Sequence, residues 1–135
     1  MEDYSMSDKT KPSADIISWG DLTVRNAEAV REFYKDVVGW KPEPVSMGGY
    51  EDFTMNTPAG NAPVAGICHA RGTNADLPPQ WLIYIVVEDI EGSIKRCVEL
   101  GGKLLAGPKS MGDHGSYCVI QDPAGAVAAL FQHGS

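Results

Sequence analysis

Asn56-Thr57-Pro58-Ala59-Gly60 and Gln121-Asp122-Pro123-Ala124-Gly125 are one turn written twice. In each copy proline presets one backbone dihedral and glycine supplies the other. A β-rich run leads into each turn, Tyr50 to Asn56 and Tyr117 to Gln121, and another leaves it, Val64 to Ala70 and Val127 to Gln132. Further out, each copy carries a helix with a capping residue, Asn26 and Asp89, at nearly the same offset. A period of roughly 60 residues is longer than solenoid repeats, and two copies cannot form a solenoid. The pattern is therefore read as a duplicated unit that pairs with itself.

Each unit runs strand, helix, three strands. Ile16 to Val24 reads as the first strand. Glu28 favours the positive start of the helix that follows, and Ala27, Val30, Phe33, Tyr34 and Val37 share one face of it. Gly39 can take the left-handed conformation that ends it. Trp40 to Val45 is a short extended piece limited by Pro42 and Pro44. After the linker Arg71 to Pro79, the nearly continuous apolar run Trp81 to Val87 opens the second unit. Its helix buries Ile90, Ile94, Cys97 and Val98 and stops at Gly101-Gly102; Lys103 to Ala106 is short and extended, and Gly107 to Gly115 is a polar loop. The fold class is α+β in a single domain, 15–135, with modules at about 15–70 and 80–132. Residues 1–14 are polar and aperiodic and read as a flexible tail.

The 135-residue length suits one domain that buries its own core. The net charge of −7 repels phosphate backbones and excludes nucleic acid as a natural partner. Cys68, Cys97 and Cys118 are odd in number and too far apart for a Cys-x-x-Cys pair. They argue against a disulfide framework or zinc knuckle and for a reducing, cytoplasmic location. No apolar run approaches the roughly 20 residues of a membrane helix, and no secretory signal pattern opens the chain.

Trp19-Gly20-Asp21-Leu22, Phe33-Tyr34 and Val38-Gly39-Trp40 in the first copy resemble the glyoxalase/bleomycin-resistance (vicinal oxygen chelate) superfamily. So do Val87-Glu88-Asp89-Ile90, Leu100-Gly101-Gly102, Gly107-Pro108 and Asp122-Pro123-Ala124-Gly125-Ala126 in the second. The resemblance spans about Asp15 to Gln132. It implies two pseudo-symmetric βαβββ modules curled into an incomplete barrel around a cavity, with the helices outside. It also implies pairing into a homodimer, with Leu77-Pro78-Pro79 and Trp81 as a contact. Metal-using members hold a divalent ion with His, Glu or Gln from four strands. Here those positions fall on Trp19, Val64 to Gly66, Leu82 and Ala129. None of these offers a lone pair to a cation, so the expectation is no metal and no cofactor.

The residues expected to carry function follow from strand alternation. Asp21 lies two beyond Trp19, and Tyr84 two beyond Leu82, so both are expected to face the cavity. A carboxylate there can bond a ligand or act as a base, or simply pair with a cation. Trp19, Phe53, Leu82, Met111, His114 and Tyr117 are the expected ligand-binding residues, as apolar walls with a few polar tips make a small-molecule pocket. His69 reads as a partly exposed strand histidine, because its neighbour Cys68 must face the other way. His133 reads as terminal and without a role. No Ser-His-Asp order and no phosphate loop is legible. The leading expectation is a metal-independent protein that binds a small, partly apolar molecule. The alternatives are a metal-dependent lyase or isomerase of the lactoylglutathione lyase type, and a drug-sequestering resistance protein.

Overall fold

The computed structural model describes residues 14–134; the expected tail, residues 1–14, lies outside them apart from Ala14. The chain forms two compact units, one spanning Trp19–Leu82 and the other formed by residues from Ile83 onward together with those up to Ser18.

In the first unit, β1 (Ile17–Val24) is followed by α1 (Ala27–Val38), β2 (Lys41–Ser46), β3 (Glu51–Asn56) and β4 (Pro63–His69). The strand order is β2-β3-β4-β1. β1 and β4 run parallel, with Asp21 opposite Gly66 and Leu22 opposite Ile67. The β3–β4 hairpin is antiparallel around the first Pro-Ala-Gly turn, and its register slips between Met55 and Asn56. Alternation sends Leu22, Ile67, Ala65, Phe53 and Met55 to the side that α1 covers, where they pack with Ala27. Full burial of such side chains contributes roughly 1.5–3 kcal/mol each. Val30, Tyr34, Trp40 and Trp81 close this core. Trp81 donates its indole N–H to the Tyr34 hydroxyl at 3.0 Å. Its ring meets those of Tyr34 and Trp40 nearly edge-on. Trp81, expected at a contact between subunits, is half-buried and packs against Tyr34 and Trp40.

The second unit repeats the pattern with β5 (Trp81–Val86), α2 (Ile90–Glu99), β6 (Lys103–Ser110), β7 (Gly115–Gln121) and β8 (Val127–His133). Its strand order is β5-β8-β7-β6, with β5 and β8 parallel. Ile90, Cys118 and Leu130 form the core under α2, with Ile85, Val87, Ile94 and Ile120 against them. The segment before β1 belongs here, because Asp15 N–H and Ile16 C=O both bond Val86.

Both helices, all eight strands and both turns match the expected order. Three local readings are corrected. Asn26 makes no capping hydrogen bond, whereas Asp89 does, accepting from Gly92 N–H at 3.1 Å. Phe33, Val37 and Val98 are exposed at 55 %, 63 % and 56 %, so the apolar stripe of each helix is narrower than its sequence. β6 runs on to Ser110, taking up much of the expected polar loop. Gly39 ends α1 as expected, at φ 87°, with its N–H on the Lys35 carbonyl.

Candidate functional site

Because Leu22 and Ile67 point under α1, Asp21, Gly66 and Cys68 point to the opposite, helix-free face of the first sheet. The Asp21 carboxylate lies across Gly66, and a β-carbon at that position would overlap Asp21 Oδ1. Trp19, two residues back on β1, donates its Nε1–H to Oδ1 at 3.1 Å. The Cys68 thiol donates to Oδ2 at 3.5 Å. Asp21 is therefore gripped at both oxygens and seated in a cradle that only glycine leaves open. Burial raises its pKa from an ordinary 3.8 to about 6; the Trp19 and Cys68 hydrogen bonds oppose that rise and the negative charge of Asp52 adds to it. A carboxyl in that state can accept a hydrogen bond, hold a cation or take up a proton near neutral pH. The Cys68 thiol is pushed well above the usual range by burial and then by its two carboxylate neighbours, Asp21 and Asp52. It is a hydrogen-bond donor and not a nucleophile.

On the other side of β4, His69 faces α1. Its Nε2 lies 3.1 Å from Glu28 Oε1 and its Nδ1 lies 3.2 Å from Asp52 Oδ1. Asp52 Oδ1 also accepts the His69 backbone N–H at 2.9 Å. Ionised carboxylates accept only, so the arrangement favours a ring that carries hydrogen on both nitrogens, an imidazolium. Burial works against that charge, but the bonds to Glu28 and Asp52 outweigh it and raise the His69 pKa. Glu28 is correspondingly lowered, chiefly by His69. Tyr50 meets the imidazole edge-on, and the Arg71 guanidinium stacks on Tyr50 at 3.8 Å.

In the second unit Tyr84 pairs with Ala129 and Tyr117 with Phe131. These residues alternate with Ile85, Cys118 and Leu130 of the α2 core, so Tyr84 and Tyr117 occupy the face that α2 leaves open. Their rings are 6.3 Å apart. Leu82 and Ala129 are buried, at 2 % and 0 % exposure. Met111 and His114 are exposed in the β6–β7 connection, where Gly112–His114 makes one 3₁₀ turn.

Of the residues expected to line a site, Trp19 and Asp21 are brought together, and Tyr84 with Tyr117. Phe53 is a correction. It pairs with Ile67 and packs under α1, 3 % exposed, with the Arg31 guanidinium 4.6 Å above its ring. It was expected near the cavity without any pairing for β3, and Ile67 opposite it sets the other face. Sequence reading also missed Cys68, Asp52 and His69 as partners of this region. The turn-defined hairpin was the signal that pointed toward them, but the slip between Met55 and Asn56 spoils a count from the turn.

The positions that the resemblance assigns to a metal ion are Trp19, Leu82, Ala129 and Val64 to Gly66. The Trp19 N–H is spent on Asp21, and Leu82, Ala129 and Val64 to Gly66 present no side-chain lone pair. Among the described residues no group of three or more His, Cys, Asp or Glu is arranged to hold a metal ion. No helix among them is long and apolar enough to cross a membrane.

A doubled βαβββ unit with a polar group set on the helix-free face defines a class of α+β proteins built by duplication. The family model described as the Glyoxalase/Bleomycin resistance protein/Dioxygenase superfamily matches residues 16–130, and the chain belongs to that superfamily. It is 32 % identical over 119 residues to CFP32 of Mycobacterium tuberculosis, a protein with a provisional glyoxylase name, across 85 % of this chain. It is 29 % identical over 110 residues to the anthracycline biosynthesis protein DnrV of Streptomyces peucetius, across 82 % of this chain. The chain spans only 44 % and 38 % of the lengths of these two relatives. Among solved structures, hypothetical protein BH1468 of Bacillus halodurans superposes with a TM-score of 0.60 at 14 % identity, covering 91 % of this chain and 97 % of that one. Methylmalonyl-CoA epimerase of Mycobacterium tuberculosis does so with 0.54 at 13 %, covering 94 % and 95 %. These likenesses show the fold.

Proposed function

We propose that this protein binds a small, partly apolar organic molecule against the helix-free face of the first sheet, with Asp21 as the polar anchor and Trp19 as the wall beside it. The observation that carries this reading is the Asp21 carboxyl itself, held by Trp19 and Cys68 over Gly66 and poised near pH 6. A charge kept partly desolvated costs stability, and such groups concentrate at functional sites. Binding proceeds without the superfamily metal, since the donors are missing. Tyr84, at the matching strand position of the second unit and beside Tyr117, is a ligand-binding group by the same argument. Asp21 in the first unit and Tyr84 in the second are each proposed, separately, as a group able to move a proton. Met111 and His114 remain ligand-contact proposals only through their loop position. The free thiols of Cys68, Cys97 and Cys118 fit a cytoplasmic location.

The ligand class most in keeping with the site is a cationic or hydrogen-bond-donating aromatic molecule. The net charge of −7 attracts cations, and the likeness to DnrV, an anthracycline biosynthesis protein, supports an aromatic polyketide. Isothermal titration with daunomycin, and with methylmalonyl-CoA as an anionic counter-probe, tests it. Saturable binding of daunomycin, weakened about tenfold or more in Asp21→Asn through loss of a charge-assisted hydrogen bond, is expected. Binding unchanged in Asp21→Asn removes Asp21 from the site. Preference for the coenzyme A ester overturns the cationic ligand class.

A further inference from the structure

The groups around Asp21 continue past Cys68. The Cys68 thiol stands between two carboxylates, Asp21 and Asp52, and has one proton to donate. Asp52 is at the same time held by both the backbone N–H and the imidazole of His69, and His69 is fastened on its far side to Glu28 of α1. The line of contacts therefore crosses the sheet, from the helix that covers one face to the carboxylate on the other.

We propose that His69 is a positioning residue for Asp21: by satisfying Asp52 it leaves the Cys68 thiol proton to Asp21. This rests on Asp21 being the ligand-facing group. While His69 is charged, Asp52 has two N–H donors and a neutralising cation, and competes less for the thiol that both carboxylates approach. Without the imidazole, Asp52 keeps only the backbone N–H and turns to Cys68. Asp21 then loses one of its two donors and faces a bare negative charge at Asp52. Both changes destabilise its ionised form, so its pKa rises. The charged and titratable groups facing His69 are Glu28 on α1, Asp52 on β3 and Tyr50 just before β3, with Arg71 on Tyr50 and Arg31 beside Glu28. Those facing Asp21 are Cys68 on β4 and Asp52 on β3, beside the neutral Trp19 indole on β1.

The test is an NMR titration of ¹³C-carboxyl-labelled aspartate in the full chain, with no ligand present, so that its outcome is separate from that of the binding experiment. His69→Gln is expected to raise the Asp21 midpoint by about half a unit or more. Glu28→Gln, which leaves the imidazole in place but weakens its hold on the proton, is expected to shift it the same way by less. A purely structural role for His69 lowers the melting temperature and leaves the midpoint where it was. An unchanged Asp21 midpoint in folded His69→Gln overturns the proposal. If that variant does not fold, an unchanged midpoint in Glu28→Gln does so, because Glu28 lies on the surface and its substitution leaves the core intact.

Discussion

Asp21 works against the stability of the fold in a defined pH window. Its folded-state pKa, about 6, lies above the unfolded value near 3.8. The folded protein therefore binds the extra proton between those values, and the stability this proton brings is lost as pH rises from about 4 through 6. Asp21→Asn keeps an oxygen to accept the Trp19 N–H but carries no charge. Relative to wild type it should gain on the order of 1–2 kcal/mol at pH 7.5, allowing for partial exposure, or a few degrees in melting temperature, and gain nothing at pH 4. Thermal melts at the two pH values check this, and an equal shift at both would mean that Asp21 ionises freely. That Asp21 faces away from the helix was legible, since alternation on β1 needs only the position of Leu22. That it would be gripped by Cys68, 47 residues on, was not, because no local pattern sets the register of the parallel pairing of β1 with β4.

At the scale of elements, the duplicated turn and the matched helix caps carried the whole order of strands and helices. The caps themselves diverge. Asp89 fills its capping position with a hydrogen bond and Asn26 does not. Asp89→Ala should therefore cost about 1 kcal/mol, while Asn26→Ala should cost much less. Equilibrium denaturation of the pair would reveal it, and equal losses would mean that the Asn26 amide caps α1 in solution. The helix stripes were less legible than the caps. Phe33 and Val98 continue the apolar spacing of their helices but stay exposed, because periodicity reports what a helix can bury and not how wide a sheet it meets. Phe53 was expected near the cavity without a pairing for β3, and the face it takes is set by Ile67 opposite it on β4, which no local pattern supplies.

For the whole molecule, the superfamily resemblance implies a homodimer. The second unit leaves Val98, Leu100, Leu104 and Leu105 exposed, side chains that a partner copy could cover. We infer that two copies associate, and sedimentation equilibrium at micromolar concentration should return twice the chain mass; a single-chain mass would leave those side chains without a partner of this kind. The distribution of aromatic residues across the two units has a consequence for how the protein can be watched. All three indoles, Trp19, Trp40 and Trp81, belong to the unit spanning Trp19–Leu82, whereas Tyr84 and Tyr117 belong to the other. Emission excited at the red edge of the absorption band, where indole alone absorbs, therefore illuminates one half of the duplication only. Within that half, Trp40 and Trp81 stand 5.9 Å apart at 76°, close and crossed enough for their transitions to couple, so the indole part of the near-ultraviolet dichroism reports on the first unit, and the second unit, with tyrosines and no tryptophan, is dark to indole emission.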